Sequence, residues 1–260
     1  MRVKDIVAAI ERAAPLGFQD DWDNSGLQVG FPEADVDKVL VCLDVTEAIV
    51  EEATRLGCRM IVSHHPLIFK ALSQVSDATY QQRCVVGALS GGIAIYSAHT
   101  SLDNAPGGVN YKIAELTGLQ DLRWLEPKDG EDAGSGLIGK LSEPESDYGF
   151  LRRLKRTFGV ECLRHSECSG REIMTVALCG GAGAFLMKEA KRQGADCFVT
   201  GEFHYHDYFE NDGMLLAELG HYQSEQFTID LICDILRTGC PSIKTVKTSL
   251  NTNPTRYDTR

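Results

Sequence analysis

The sequence predicts an α/β fold made of two similar halves, each a βαβ-based sheet flanked by helices, facing each other with a site between them. Three observations predict it. Strand-like and helix-like stretches alternate along most of the 260 residues. Residues 37–45 (DKVLVCLDV) form a nearly continuous apolar run, as a strand buried on both faces requires. The pattern of Val39–Cys42 recurs 137 positions later at Val176–Cys179, and the same offset pairs Glu52 with Glu189, Ala53 with Ala190, Gly57 with Gly194 and Val62 with Val199.

The elements follow in order. Val3, Ile6, Val7 and Ile10 have helical spacing at the start of the chain. After the strand in 37–45, TEAIVEEATRLG (46–57) has a helical period and ends on Gly57, a natural C-cap. CRMIVS (58–63) completes a βαβ unit, and GGIAIYSA (91–98) supplies a further strand. LEPKDGEDAGSGLIGKLSEPES (125–146), rich in Gly, Pro, Ser and acid, reads as a linker or crossover. The alternation resumes with IMTVALC (173–179), a helix in 183–193, DCFVT (196–200), MLLAEL (214–219) and a helix in 224–237. The expected organisation is a first half over 1–124, a linker over 125–170 and a second half over 171–260.

Composition narrows the function classes. Apolar residues make up 43% of the chain and charged residues 24%, as in ordinary globular proteins. The net charge of −11 argues against a broad nucleic-acid surface, because such affinity comes mainly from Lys and Arg. No apolar run approaches the roughly 20 residues of a membrane span. Asp5 and Glu11 interrupt any signal-peptide core, so a cytoplasmic location is expected. Nine cysteines, an odd number with no CxxC pair, read as buried reduced thiols.

Three motifs carry chemistry. Ser63-His64-His65-Pro66 closes a predicted buried strand, where open α/β sheets place their sites. Neighbouring side chains on extended backbone point apart, so His64 and His65 suit two ions side by side better than one. Taken alone, the pair fits two solvated histidines at a loop better than a metal site. His99-Thr-Ser-Leu-Asp103 and His221-Tyr-Gln-Ser-Glu225 each follow a predicted strand, with a His and a carboxylate four residues apart. Imidazole with carboxylate is a donor set for Zn, Fe, Mn, Co or Ni. Three such clusters at equivalent positions point to a metal site.

Asp23-Asn24-Ser25-Gly26-Leu27-Gln28-Val29-Gly30, Ser63–Pro66, Ala98–Asn104 and Gly220–Gln226 resemble the signature motifs of the GTP cyclohydrolase 1 type 2 homolog family (YbgI-like dinuclear-metal proteins). They run in that family's order across nearly the whole chain, in its short form without an inserted middle domain. The resemblance implies two divalent ions per subunit, with His64, His65, Asp103, His221 and Glu225 as ligands. His65 and Asp103 would serve one ion, His64 and His221 the other, and Glu225 would bridge. It also implies a homohexameric toroid whose metal sites face an interior cavity.

Two ions sharing a carboxylate lower the pKa of a bridging water and present hydroxide at neutral pH. The resemblance thus implies a hydrolase acting on a nucleotide or related heterocycle, with His99 and His206 as candidate acid–base residues. Phosphoester or cyclic amide hydrolysis is one alternative, and a metal-binding regulatory or assembly protein without turnover is another. No nucleic-acid or membrane partner is expected.

Smaller features remain open. His204 falls where the family's second-half motif has another residue, and contact with substrate or plain exposure are equal readings. Gly180-Gly181-Ala182-Gly183 reads as a tight turn ahead of a phosphate cradle. Asp44 either faces the site or caps the helix near Thr46. Neither tryptophan is expected in an aromatic platform of the kind single-stranded nucleic acid needs.

Overall fold

A computed structural model describes residues 1–130 and 132–258. The chain forms two compact units: unit 1 from Met1–Leu102 and Phe227–Pro254, and unit 2 from Asp103–Gln226 with the stretch beginning at Thr255. Among the described residues no helix is long and apolar enough to cross a membrane.

Unit 1 begins with α1 (Val3–Ala13), β1 (Gly26–Val29), β2 (Lys38–Cys42), α2 (Glu47–Leu56), β3 (Met60–Ser63), α3 (Tyr80–Ser90) and β4 (Ala94–Ser97), and the short α4 (Thr100–Asp103) straddles the boundary. Unit 2 continues with α5 (Val109–Thr117), β5 (Gln120–Pro127), β6 (Gly134–Ser146), α6 (Asp147–Phe158), β7 (Arg164–His165), β8 (Glu172–Cys179), α7 (Met187–Arg192), β9 (Cys197–Thr200), β10 (Leu215–Glu218) and α8 (His221–Glu225). The chain then returns to unit 1 with α9 (Thr228–Gly239) and β11 (Lys244–Lys247).

The sheets explain the repeat. Unit 1 has strand order β1-β4-β3-β2-β11, with β2, β3 and β4 mutually parallel and β1 antiparallel on the far side of β4. Unit 2 has order β5-β6-β8-β9-β10-β7, with β8, β9 and β10 parallel and β7 antiparallel against β10. Each unit therefore contains three parallel strands in chain order, capped by an antiparallel strand on the third. Apolar residues of β2, β3, β9 and, apart from half-buried Met174, β8 are buried, which accounts for their apolar runs.

Local signals act as expected in α2. The Thr46 hydroxyl accepts from the Ile49 N–H at 3.4 Å, Gly57 takes φ 69° at the C-cap, and Lys38 Nζ donates to the Leu56 carbonyl at 2.6 Å. Seven of the nine cysteines are buried, while Cys162 is exposed and Cys168 half-buried.

The predicted linker is a correction. Residues 125–170 contain the end of β5, all of β6, α6 and β7, and β6 pairs antiparallel with both β5 and β8. The register of β6 against β8 shifts between Lys140 and Glu145, and Pro144 falls in that irregularity. A bulge tolerates a residue without an N–H donor, so loop-like composition sits inside a strand. The expected boundary at 124 likewise differs from the division after Leu102, because α9 and β11 complete the first sheet from the far end of the sequence.

Glu52 anchors that return. Its carboxylate is buried and accepts from the Thr248 hydroxyl, from Ser249 N at 3.0 Å and from Ser249 Oγ at 2.6 Å. Glu52→Ala is expected to destabilise the protein by about 1–3 kcal/mol through loss of the hydrogen bonds that the carboxylate accepts from Thr248 and Ser249. Thermal or urea unfolding of the variant against wild type measures this.

Candidate functional site

In unit 1 the backbone ladder runs on past the ends of β3 and β4. His64 N donates to the Cys42 carbonyl at 3.3 Å, His65 N to the Leu43 carbonyl at 3.0 Å and Ala98 N to the Ser63 carbonyl at 2.9 Å. Ser63 Oγ and Ser97 Oγ lie 2.9 Å apart across the two strand ends, and Ser63 Oγ donates to the His65 carbonyl at 2.8 Å. His64 and His65 therefore hang from extended, hydrogen-bonded backbone.

Their rings nonetheless stay close, with centroids 4.8 Å apart, and the His99 ring lies 5.4 Å and 5.5 Å from them. One donor atom from each of the three lies within 4.8 Å of the others. The expected divergence of the His64 and His65 side chains is thus not seen in the rings, although their Nδ1 atoms take different partners. His64 Nδ1 meets the Ala98 carbonyl at 2.8 Å, and His65 Nδ1 meets Asp44 Oδ1 at 2.7 Å. His99 Nδ1 meets Asp23 Oδ1, also at 2.7 Å. An acceptor at every Nδ1 places the hydrogen there, so the lone pair that can ligate a metal sits on Nε2. The donor set fits divalent metal ions.

The acids behind the histidines are built in. The Asp23 side chain is fully buried, and its Oδ2 accepts from Thr100 N at 3.1 Å, Thr100 Oγ1 at 2.5 Å and Ser25 Oγ at 2.8 Å. Burial raises its pKa, but the hydrogen bonds and charge of His99, with Thr100 and Ser25, hold it well below the usual carboxylate range. Asp44 accepts from Thr252 Oγ1 at 2.6 Å as well as from His65. Burial pushes its pKa up, and His65 with Thr252 brings it down further. Asp44 thus faces the site, while Thr46 is the helix cap. The sequence signal for Asp23 lay in the Asp23–Gly30 motif, and nothing local marked it as the partner of His99.

In unit 2 the matching strand ends carry acid and imidazole. Glu202 follows β9, and its Oε1 meets His221 Nδ1 at 3.0 Å at the start of α8. His221 Nε2 lies 3.3 Å from Glu225 Oε2, and Glu225 is buried. Burial disfavours protonation of His221, but the hydrogen bonds and charges of Glu202 and Glu225 outweigh it and raise its pKa to about 11. Asp103 is the half-buried last residue of α4, its carbonyl accepting from Asn110 Nδ2 at 3.0 Å.

The glycine-rich turn serves this unit as a turn. Gly180, Gly181 and Gly183 donate their N–H groups to Asn110 Oδ1, Ser224 Oγ and Thr200 Oγ1, each at 3.0 Å, and so offer no phosphate cradle. Gly181 has φ 60°, and a Cβ there would collide with the Glu225 carboxylate.

His206 is exposed, its ring packed against Tyr205 and Phe209. The His204 side chain is 92% exposed, 3.6 Å from Asp207. The Trp22 ring meets Phe69 at 5.8 Å and His99 at 6.0 Å between centroids.

The sequence profile of the Duf34/NIF3 (NGG1p interacting factor 3) family matches residues 1–254. The chain belongs to that family. A "GTP cyclohydrolase 1 type 2 homolog" of Lactococcus lactis is 33% identical over 259 residues, covering 98% of both chains. A Clostridium perfringens protein of the same name is 34% identical over 230 residues, 86% of this chain and 87% of its own. The resemblance read from the motifs is therefore established. A Staphylococcus aureus hypothetical protein shares the Duf34/NIF3 fold at a TM-score of 0.91 over 99% of each chain, with 24% identity.

Two measurements probe this Duf34/NIF3 site. Asp44→Ala frees the His65 ring and is expected to weaken metal binding about 10–100-fold, read by calorimetric titration of metal-stripped protein. His221 has its folded pKa raised above 6.5, so its contribution to stability is complete below that pH and is lost as pH rises toward about 11. Urea unfolding of chelator-treated protein should show stability falling between about pH 7 and about pH 10, and falling less in His221→Gln.

Proposed function

We propose that this chain is a metal-dependent hydrolase, like the GTP cyclohydrolase its relatives are named for, opening a nucleotide or related heterocycle with two divalent ions. The observation that supports this reading is the histidine cluster: three imidazoles converge on one another, each with an acceptor at Nδ1, which puts the ring lone pair on Nε2. In this reading His64, His65, Asp103, His221 and Glu225 hold the ions. His65 with Asp103 would serve one and His64 with His221 the other, with Glu225 common to both.

The ions, when bound, supply Lewis acidity and a water made nucleophilic at neutral pH. The remaining work falls to the chain. Asp44 and the Ala98 carbonyl fix the ring orientations of His65 and His64. His99 donates its Nδ1 hydrogen to the buried Asp23, which leaves Nε2 to take a proton and keeps a carboxylate beside the imidazolium that results. The same nitrogen then delivers the proton to the departing ring nitrogen. His206, exposed beyond β9, is the second candidate for that transfer. The reading includes the homohexameric assembly that the motifs imply.

Metal-loaded protein incubated with GTP, and with a panel of nucleotides and phosphoesters, tests the proposal by product release. His65→Ala is expected to reduce turnover at least about 100-fold, in line with loss of a metal ligand. Retained metal with no product from any substrate would make the chain a metal-binding protein instead.

A further inference from the structure

Trp22 and Phe69 are large aromatic side chains left 59% and 48% exposed. Both belong to unit 1 and both flank the histidine cluster. Their ring centroids are 5.8 Å apart at 54°, and each meets the His99 ring edge-on, at 6.0 Å and 76° for Trp22 and 6.2 Å and 79° for Phe69. An open pair of aromatic faces thus stands beside an imidazole of the donor cluster.

The pair is held in place. Trp22 precedes Asp23, whose buried carboxylate is tied to His99, Thr100 and Ser25. Phe69 follows Ile68, and both backbone groups of Ile68 are clamped by the segment that carries Trp22. Asn24 Nδ2 donates to the Ile68 carbonyl at 2.6 Å, and Ile68 N donates to Gln28 Oε1 at 3.1 Å. Leaving two anchored aromatics open to water forgoes burial that each ring would otherwise gain. Two half-exposed rings offer on the order of 200 Å², far below the roughly 800 Å² per partner of a stable protein interface. A single planar ring matches that area.

We propose that Trp22 and Phe69 form a stacking subsite for the base of a nucleoside or nucleotide, seating the heterocycle against His99. The inference rests on the nucleotide reading of the site and names the part of the ligand that this surface selects. Every base has a π-face, so the subsite selects planar heterocycles as a class. Lys70, exposed and next in the chain, is a cation available to an anionic substituent on the same ligand.

Calorimetric titration with guanosine, adenosine and ribose 5-phosphate tests the subsite on the full-length protein, both chelator-treated and metal-loaded. Guanosine and adenosine should bind even without metal, and ribose 5-phosphate should not. Trp22→Leu and Phe69→Leu should each weaken guanosine binding about 5- to 150-fold, with Trp22→Phe retaining most of the affinity. Metal content should stay at the wild-type level in all three. Leucine variants that bind guanosine as wild type does would overturn the proposal. So would a smaller assembly for Trp22→Leu by sedimentation, which would make a second copy of the chain the occupant. Base binding that needs Trp22 without product release leaves the subsite standing and removes the hydrolase reading. Turnover indifferent to Trp22 does the reverse.

Discussion

The hydrogen bond at Nδ1 is the interaction on which the candidate site depends. A histidine at a strand end can rotate about two bonds, and a metal ligand or a base must do neither freely. In this chain the Ala98 carbonyl, Asp44 and Asp23 each take one Nδ1 hydrogen, and each is itself fixed. Ala98 belongs to the ladder that continues beyond β4, Asp44 is held by Thr252, and Asp23 by Thr100 and Ser25. The sheet positions the acceptors, the acceptors set the tautomers, and the tautomers present the Nε2 lone pairs.

Unit 2 reaches a related result by another route. His221 has a carboxylate at each nitrogen, Glu202 at Nδ1 and Glu225 at Nε2, so the metal-free ring keeps its proton. A divalent ion would compete with that proton for Nε2. The acidic total of the chain also reads differently once these contacts are known. Asp23, Asp44, Glu202 and Glu225 lie behind or beside histidines, so part of the −11 net charge belongs to the candidate site.

Much of this was legible in the sequence. Apolar runs located β2, β3, β4, β8, β9 and β10, because strands buried on both faces admit few polar residues. The repeat at 137 positions marked the first two of the three parallel strands that the two units share, β2 with β8 and β3 with β9. The order of the motifs placed His64, His65, His99 and His221 at strand ends. The stretch 125–170 was not legible, since a bulged strand carrying Pro and Gly has the composition of a loop. Nor were Asp23 and Trp22, which reach His99 from 76 and 77 positions away in the chain.

The sequence by itself determined the α/β class, the identity of the buried strands and the candidate metal-binding residues, because periodicity and residue chemistry are local properties. The tertiary structure decided which acceptor stands behind each imidazole, which strand completes each sheet and which aromatics remain open beside His99. Those are relations between residues remote in the chain: Asp44 with Thr252, Glu52 with Ser249, β2 with β11. Only folding brings such groups within hydrogen-bonding distance, and no local pattern records them.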